Sequence, residues 1–413
     1  MVESRFVSAA QAAAELGIRH ATLYAYVSRG LIRSEQTGSR RRERQYYRED
    51  VRKLKEAQEQ RRHPARAAAR ALHWGAPVLD SQLTLIADGK LYYRGYDALE
   101  LASGHSLEEV AALLWTGKLE NSAALFRHAR KVETEKRQAN LSRVSEMPLI
   151  EKFQVALPVA ALGYPAAYDF RPLPVAQTGS RILSLMTSIA AGSRFPRRTD
   201  IDIARALQDG WAPGNPRAGP LIRAALVLCA DHELNVSSFT ARCVASAGAT
   251  PYAAITAALS ALQGTRHGGE TRKVEALVRE IGKSANARRV LANRLMQGER
   301  LPGFGHVLYP DGDPRARLLV QLVKAAYPRS RHVRTGNAII TQAQDLTGEH
   351  PTIDFALVLL SHALSLPEDA PIGLFALGRS VGWIAHIIEQ YQADELIRPR
   401  ARYTGPLPGV STQ

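Results

Sequence analysis

The chain contains 413 residues, 45% of them hydrophobic, so it is long enough for two or three globular domains and too apolar to be disordered throughout. Its net charge of +15 favours polyanionic ligands such as nucleic acid or phosphorylated cofactors, without deciding between them. Two cysteines exclude a disulfide framework. There is no apolar run of the ~20 residues that span a bilayer and no secretion signal at the start, so we expect a cytoplasmic protein that does not enter the membrane.

Residues 1–62 are predicted to form a small domain of short helices. Ser8 and Gln11 match a capping box, in which the serine hydroxyl takes a free amide at the helix start and the glutamine side chain reaches back. Two short helices joined by a glycine turn are typical of a helix-turn-helix. The predicted elements are helices at Ala9–Leu16, His20–Ser28 and Arg48–Gln60, with a basic hairpin at 37–44 before the third.

This domain resembles the N-terminal DNA-binding unit of MerR and excisionase-like winged helix-turn-helix proteins. The matching segments are Val7–Gly17, Ala21–Tyr26, Gly30–Ile32 and Tyr47–Leu54. The resemblance implies that the second helix enters a major groove and that the hairpin meets phosphates or the minor groove. The residues so implied are Arg19, His20, Thr22, Tyr26, Arg40, Arg41, Arg42 and Arg44. The alternative is a solvated basic hairpin on a helical packing module.

Residues 63–74 are predicted to be a linker, after which the pattern changes. Alternating residues predict short strands at Leu83–Ile86 and Leu91–Arg94 around a turn at Asp88-Gly89. From Ala98 onward, apolar residues recur at three- and four-residue spacing, which predicts helices nearly to the end. The predicted helices are Ala98–Thr116, Ala123–Lys136, Leu149–Leu162, Gly179–Gly192, Ile201–Asp209, Pro220–Cys229, Ser237–Gly248, Pro251–Leu262, Lys273–Ile281, Arg288–Met296, Arg315–Ala326, Val333–Gln344, Asp354–Leu364 and Pro371–Gln390.

Four clusters of polar residues interrupt these helices. In the third, a histidine ends a glycine-rich loop and an arginine follows nine residues later. Glycine permits close approach to a ligand, histidine exchanges protons near neutrality, and arginine binds a carboxylate with two parallel bonds, so this pattern favours a small-acid site. Individually, each cluster also fits helix caps, turns or surface cations. The clusters are Ala230–Asn235 with His232, Leu262–Gly269 with His267, Leu301–His306 with Arg315, and His350–Phe355 with Asp354.

Taken together, the segments from about Gly75 to Gly405 resemble citrate synthase in order and spacing. The matching motifs are Leu91–Asp97, Ala230–Asn235, His267–Gly269, Gly303–His306, Asp313–Ala316, Thr352–Phe355, Phe375–Arg379, Val381–His386 and Ile397–Arg400. The resemblance implies a mainly α, multi-helical fold with a large lobe at 75–267 and 361–413 and a small lobe at 268–360. With the front domain, the predicted fold class is therefore mainly α plus a small winged helix-turn-helix.

The resemblance also implies the reaction and its residues. Acetyl-CoA condenses with oxaloacetate, Asp354 takes a proton from the thioester methyl group, and His267 hydrogen-bonds the thioester oxygen. His306 polarises the ketone and protonates the new alkoxide. The residues implied to bind oxaloacetate are His232, Arg315, Arg379 and Arg398, the last supplied by the second subunit of a homodimer. The small lobe is expected to close over the substrates, and neither a metal nor a cofactor beyond the co-substrate acetyl-CoA is expected.

The chain departs from the family's usual pattern on its expected CoA side. Pro310 stands where a basic residue usually meets a CoA phosphate, and Glu270-Thr271 replaces the commoner Ala-Asn. Cys229 replaces a further histidine found in many bacterial relatives. Weaker CoA binding or a different acyl-CoA follows as a hypothesis, with Arg266 or Lys273 as substitute cations.

Three functions are therefore compared. The first is an active citrate synthase with a DNA-binding appendix. The second keeps the chemistry and uses propionyl-CoA, giving 2-methylcitrate. The third is a transcriptional regulator whose synthase-like body senses metabolites, which the presence of Asp354, His267 and His306 disfavours because a sensor has no need of the base.

Overall fold

A computed structural model of the chain describes residues 6–36, 44–52, 54–55, 79–127, 146–192, 202–401 and 403–405. The chain divides into two compact units, one at 1–80 and one at 81–413. Each unit has its own cluster of buried apolar side chains.

The first unit combines a three-stranded antiparallel sheet with short helices. Its central strand pairs with both others in the order β1-β3-β2, and Ser34 lies opposite Tyr46. The predicted hairpin is thus present at its base, while residues 37–43 lie outside the described part. The elements are β1 Phe6–Ser8, α1 Ala9–Leu16, α2 His20–Ser28, β2 Ser34–Gln36, β3 Arg44–Tyr47 and helical residues at 48–52 and 54–55.

The capping box predicted for α1 is confirmed. Gln11 N donates to Ser8 Oγ at 3.2 Å, and Ser8 N donates to Gln11 Oε1 at 3.0 Å. Gly17 ends the helix in the left-handed region at φ +62°, where a side chain would be strained. The small core beneath these helices consists of Val7, Ala12, Leu16, Leu23, Ile32, Tyr46 and Val51.

The second unit opens with a small antiparallel sheet. Strands β4 Thr84–Ala87 and β5 Lys90–Tyr93 are joined by Asp88 and Gly89, and β6 Tyr96–Asp97 follows. Both turn residues have positive φ, +51° and +70°, as a two-residue hairpin that matches the strand twist requires. The predicted strands are confirmed with a shift of one residue.

Helices form most of the rest of the described second unit. They are α3 Ala98–Gly104, α4 Leu107–Thr116, α5 Ser122–Arg127, α6 Leu149–Ala161, α7 Pro172–Ala191, α8 Ile203–Trp211, α9 Ala218–Leu228, α10 Val236–Ser246, α11 Pro251–Leu262, α12 Glu270–Ile281, α13 Ala287–Met296, α14 Pro314–Ala326, α15 Arg331–Thr347, α16 Ile353–Leu364 and α17 Ala370–Ala393. Short 3₁₀ turns occur at Leu119–Asn121, Pro165–Tyr168 and Ser284–Asn286.

Two predicted helices differ most from the structure in their bounds, while most of the others are off by one to three residues at an end. The single helix expected at Ala98–Thr116 is two, because Ser106 starts a new helix with Glu109 in a second capping box. The helix expected from Gly179 begins at Pro172, since a proline in the first turn sacrifices no intrahelical hydrogen bond. The part of the predicted helix at Ala123–Lys136 beyond residue 127 lies outside the described residues.

Helix α17 is the centre of the second unit. It packs against α4, α7, α9, α10 and α11, and nearly all of its side chains are buried. Among the described helices, it is the one long and apolar enough to cross a membrane, and its apolar stretch lies wholly inside the fold. Gly378 and Gly382 on this helix allow the segment after α9 to approach closely, since a Cβ on either would lie less than 3.0 Å from that segment. This approach brings the first histidine cluster against α17.

Candidate active site

The segment between α9 and α10 holds His232 in a fixed position. The preceding Asp231 is fully buried, with Oδ1 3.2 Å from His386 Nε2 and Oδ2 accepting from Thr84 Oγ1 at 2.6 Å. Burial alone would raise the pKa of Asp231, but the facing His386 outweighs it and the pKa is lowered. An ionised carboxylate therefore ties the histidine segment to α17 and to the β4 strand.

His232 lies at the centre of a group of aromatic rings. Its Nε2 is 3.1 Å from the Tyr309 hydroxyl, and its ring centroid is 5.3 Å from that of His306 in an edge-to-face arrangement. Burial, followed by the charges of Arg315 and Arg379, lowers the pKa of His232 well below its usual range. The imidazole is therefore neutral at pH 7 and can hydrogen-bond an anionic ligand only through its N–H.

The glycine-rich loop presents His306 to the same space. Gly303 and Gly305 have φ of +78° and +76°, which explains why glycines are needed there. His306 Nδ1 accepts from the Leu308 amide at 3.1 Å, so the proton of the neutral ring resides on Nε2. Burial and the Arg315 cation lower the pKa of His306 to about 4. The loop thus presents a neutral N–H donor.

Arg315 lies in the first turn of α14, where it is buried and held by Asp313, the residue that caps this helix. Its Nε and Nη2 donate to the two oxygens of Asp313 at 2.9 and 2.8 Å. Burial would lower the pKa of Arg315, but the Asp313 charge outweighs it and the pKa is raised. Asp313 Oδ2 also accepts the Ile353 amide at 3.0 Å, which joins α14 to the start of α16. The same carboxylate therefore positions both the arginine and the helix that carries Asp354.

Arg379 projects from α17 and is 1% exposed. Its Nε donates to the Cys229 carbonyl at 2.9 Å, and its guanidinium carbon lies 4.8 Å from the Phe375 ring centroid. The terminal nitrogens of a guanidinium carry four further N–H donors, the geometry that binds a carboxylate at two points.

His267 follows α11 and is connected to a buried serine. Its Nε2 is 2.8 Å from Ser237 Oγ, which accepts from Trp383 Nε1 at 3.1 Å and donates its own proton to Asn235 Oδ1 at 2.7 Å. One hydroxyl proton serves these neighbours, so Ser237 governs which nitrogen of His267 carries its proton. Burial and the Arg379 cation lower the pKa of His267 to about 4, which leaves a neutral ring at pH 7.

Asp354 lies in the first turn of α16 and is half-buried. Burial, then the nearby acidic side chain of Glu270, raises the pKa of Asp354 to about 7, while Arg315 opposes the shift. Thr352 Oγ1 donates to Asp354 Oδ2 at the long distance of 3.5 Å. A carboxyl group poised near neutrality, with few hydrogen bonds, is suited to accepting a proton.

Six of the seven residues predicted for this site share one neighbourhood within the second unit. The rings of His232 and His306 are in contact. The Arg315 cation is close enough to both rings and to Asp354 to lower the pKa of each. The Arg379 cation likewise lowers the pKa of His232 and of His267. Arg398 is not brought to them: it follows α17, with an exposed side chain.

Several residues of the site were missed from the sequence. Asp313 lies inside a motif already singled out and Tyr309 lies between two of them, so their positions near Arg315 and His306 in the sequence could have indicated them. Trp383 also lies inside a matching motif, Val381–His386, but its contact with Ser237 could not be predicted, because it joins α10 to α17 across 146 residues. Within the described ranges, no group of three or more histidine, cysteine, aspartate or glutamate side chains could hold a metal ion.

The residues predicted to meet DNA lie in the first unit. Arg19 and Arg44 are exposed, and Thr22 is half-buried. Tyr26, which the resemblance places on the groove-facing helix, is half-buried because it packs against the small core. Arg40, Arg41 and Arg42 lie outside the described residues.

Comparison with known proteins was made for both units. A family model for the C-terminal domain of citrate synthase matches residues 71–400, and one for MerR helix-turn-helix regulatory proteins matches residues 7–63. Citrate synthase 2 of Bacillus subtilis is 32% identical over 371 residues, covering 80% of this chain and 95% of the relative. A 2-methylcitrate synthase of Mycobacterium tuberculosis is 32% identical over 337 residues, covering 76% and 84%.

Solved structures share the fold of the second unit. Citrate synthase from Thermotoga maritima gives a TM-score of 0.69 at 26% identity, covering 82% of this chain and 96% of that one. Citrate synthase from Thermoplasma acidophilum, solved as a ternary complex with carboxymethyl coenzyme A and oxaloacetate, gives 0.72 at 24% identity, covering 84% and 98%. With a family model spanning 71–400 and relatives above 30% identity, the chain belongs to the citrate synthase family and carries a MerR-type helix-turn-helix unit ahead of its synthase body.

Proposed function

We propose that the protein condenses acetyl-CoA with oxaloacetate to give citrate and CoA. The observation that carries this proposal is a carboxyl group with a pKa of about 7, Asp354, in the same neighbourhood as neutral imidazoles and buried arginines. The methyl group of a thioester is a weak acid, so its deprotonation needs both a base and a donor for the enolate oxygen.

Each site residue has a role in this proposal. Asp354 takes the proton, His267 donates to the thioester oxygen, and the Nε2–H of His306 polarises the ketone and protonates the alkoxide. Arg315 and Arg379 are buried cations that can each pair with one carboxylate of a dicarboxylate, and His232 lies beside them. No cofactor is assigned beyond the acyl-CoA co-substrate. Closure of a small lobe at 268–360 on a large lobe at 75–267 and 361–413 would exclude water from the thioester.

The acyl group is the finer question. Relatives of similar identity are named citrate synthase and 2-methylcitrate synthase, so both acetyl- and propionyl-CoA are candidates. A thiol-release assay with oxaloacetate and each acyl-CoA decides between them. Faster release from acetyl-CoA supports the proposal and faster release from propionyl-CoA favours 2-methylcitrate. If no acyl-CoA releases thiol, the remaining hypothesis is a transcriptional regulator whose synthase-like body senses metabolites. A weak affinity for CoA is expected because Pro310 provides no cation.

A homodimer in the cytoplasm completes the proposal. Arg398 is exposed on the segment that follows α17, as expected of a residue that serves the partner's site. An apolar stripe of Val155, Val159 and Leu162 is also exposed, with side chains 39% to 73% accessible. Apolar stripes of this kind favour burial against a second copy.

Ser237→Ala should lower kcat by about 10–100-fold, because misorientation of a catalytic group by about 1 Å costs about that much. In the structure Ser237 donates its proton to Asn235 Oδ1, so the role given to His267 requires this proton to turn to His267 Nε2, which leaves the ring proton on Nδ1 for the thioester. Ser238→Ala is the matched control, since this adjacent serine is equally buried and its Oγ has no hydrogen-bond partner among the described residues. Equal kcat values for the two variants in the thiol-release assay would contradict the role of Ser237.

The front unit is proposed to bind double-stranded DNA, on the basis of its MerR match and its exposed arginines. Arg44→Ala should weaken binding and reduce the steepness of its salt dependence by about one counterion, as loss of a phosphate contact does. The control is Arg171→Ala, an exposed arginine of the second unit paired with Asp169. A mobility shift at several salt concentrations measures both, and binding that is insensitive to salt would exclude DNA recognition by this unit.

A further inference from the structure

Glu270 is the first residue of α12, three residues after His267, and its side chain reaches the glycine-rich loop. Its Oε1 accepts from the Gly303 amide at 3.1 Å, and its Oε2 lies 3.1 Å from Lys273 Nζ. The loop that carries His306 is therefore hydrogen-bonded to the helix that follows His267.

Gly303 fits tightly between two helices. A Cβ atom on Gly303 would lie 2.6 Å from Val274 Cγ2 on α12 and 3.1 Å from Phe355 Cβ on α16. Its carbonyl accepts the amide of Thr352 at 2.8 Å, and Thr352 lies two residues before Asp354, at the start of α16. Glu270 thus binds the Gly303 amide, and the Thr352 amide binds the Gly303 carbonyl. Gly303 therefore connects the segments that carry His267, His306 and Asp354.

The charges around Asp354 come from two elements. Glu270 approaches from α12, with Lys273 on its outer side, and Arg315 and Asp313 approach from α14. After burial, Glu270 is the largest influence that raises the pKa of Asp354, and Arg315 is the main one that lowers it.

We propose that Glu270 is a positioning residue for the reaction: one oxygen aligns the loop of His306 with the helix of Asp354, and its negative charge offsets the Arg315 cation beside Asp354. The proposal rests on the proposed condensation, because it takes Asp354 as the base. A more basic carboxylate removes a proton from a weak carbon acid more readily, so the pairing favours enolate formation near neutral pH.

A purely structural role is the competing explanation, since an acidic residue at a helix start also stabilises the helix dipole. Two substitutions separate the contributions. Glu270→Gln keeps an oxygen for the Gly303 amide and removes the charge, whereas Glu270→Ala removes both. Glu280→Gln is the matched control, because Glu280 lies on the same helix, is exposed, and pairs with Arg294 instead.

The first measurement is the pH profile of kcat/KM for the full-length protein. Glu270→Gln should move the acid limb to lower pH by on the order of half a unit or more, and the less basic carboxylate should lower the plateau only slightly. Glu270→Ala should shift the limb equally and also lower the plateau about tenfold, since the loop loses its acceptor. Glu280→Gln should match the unsubstituted protein. A profile for Glu270→Gln that superimposes on that of the unsubstituted protein overturns the proposal.

A second measurement does not depend on activity. At pH 8, Glu270→Gln should raise the unfolding temperature by relieving repulsion from an ionised Asp354, and this gain should vanish in the D354N background and below pH 4. Equal gains in both backgrounds overturn the charge pairing. If the stability effects of Glu270→Gln and D354N are coupled but no acyl-CoA releases thiol, the charge pairing is supported and the proposed condensation is contradicted.

Discussion

Asp354→Asn is expected to lower kcat by about 10²–10⁴-fold, the contribution of a positioned general base, with little change in oxaloacetate affinity. Asparagine has nearly the same shape but cannot accept the methyl proton. Thiol release measures kcat, and calorimetric titration of oxaloacetate measures binding. A variant that lost both equally would assign Asp354 to substrate binding rather than to proton transfer.

The pH dependence gives the same residue a second test. Because burial and Glu270 raise the pKa of Asp354 to about 7, the base is protonated below that pH, and kcat/KM should fall about tenfold per unit there. Ionisation in the folded state is also costly, so stability decreases as pH rises from the unfolded pKa of about 4 towards 7. Asp354→Asn should therefore be more stable than the unsubstituted protein at pH 8, by up to about 4 kcal/mol, and equally stable below pH 4.

Gly382→Ala is expected to cost about 2–3 kcal/mol of unfolding free energy or more, the upper part of the range for overpacked cores. The Gly382 amide donates to the Ala230 carbonyl at 2.9 Å, and a Cβ here would lie closer than 3.0 Å to Asp231 Oδ1 and to that same carbonyl. Neither neighbour can retreat, because one is backbone and the other is fixed by His386 and Thr84.

Gly104→Ala is the control for this substitution. Gly104 is an exposed helical glycine with open space around its Cβ position, so alanine should be neutral or slightly stabilising. Chemical denaturation measures both variants, and activity of the surviving folded Gly382→Ala fraction reports whether the His232 segment has moved. Equal midpoints for the two alanine variants would show that α17 and the Ala230–Asp231 segment can separate at little cost.

Local sequence predicted the elements that depend on neighbouring residues. The capping box of Ser8 and Gln11 and the Asp88-Gly89 turn involve atoms only a few residues apart, so their geometry follows from the residue types. Helix ends were less predictable. The break at Ser106 was missed because the apolar periodicity continues across it, and the start at Pro172 was missed because the prolines there resemble a break.

The sequence by itself determined the family, the helical class and the residue types of the site, since these depend on motif order and on periodicity along the chain. Tertiary structure alone decided the protonation of those residues, because burial and charges from distant helices set the pKa of Asp354 and of the histidines. It also decided the supporting contacts: Trp383 with Ser237, and Glu270 with Gly303, join helices whose separation along the chain leaves no periodic pattern to read.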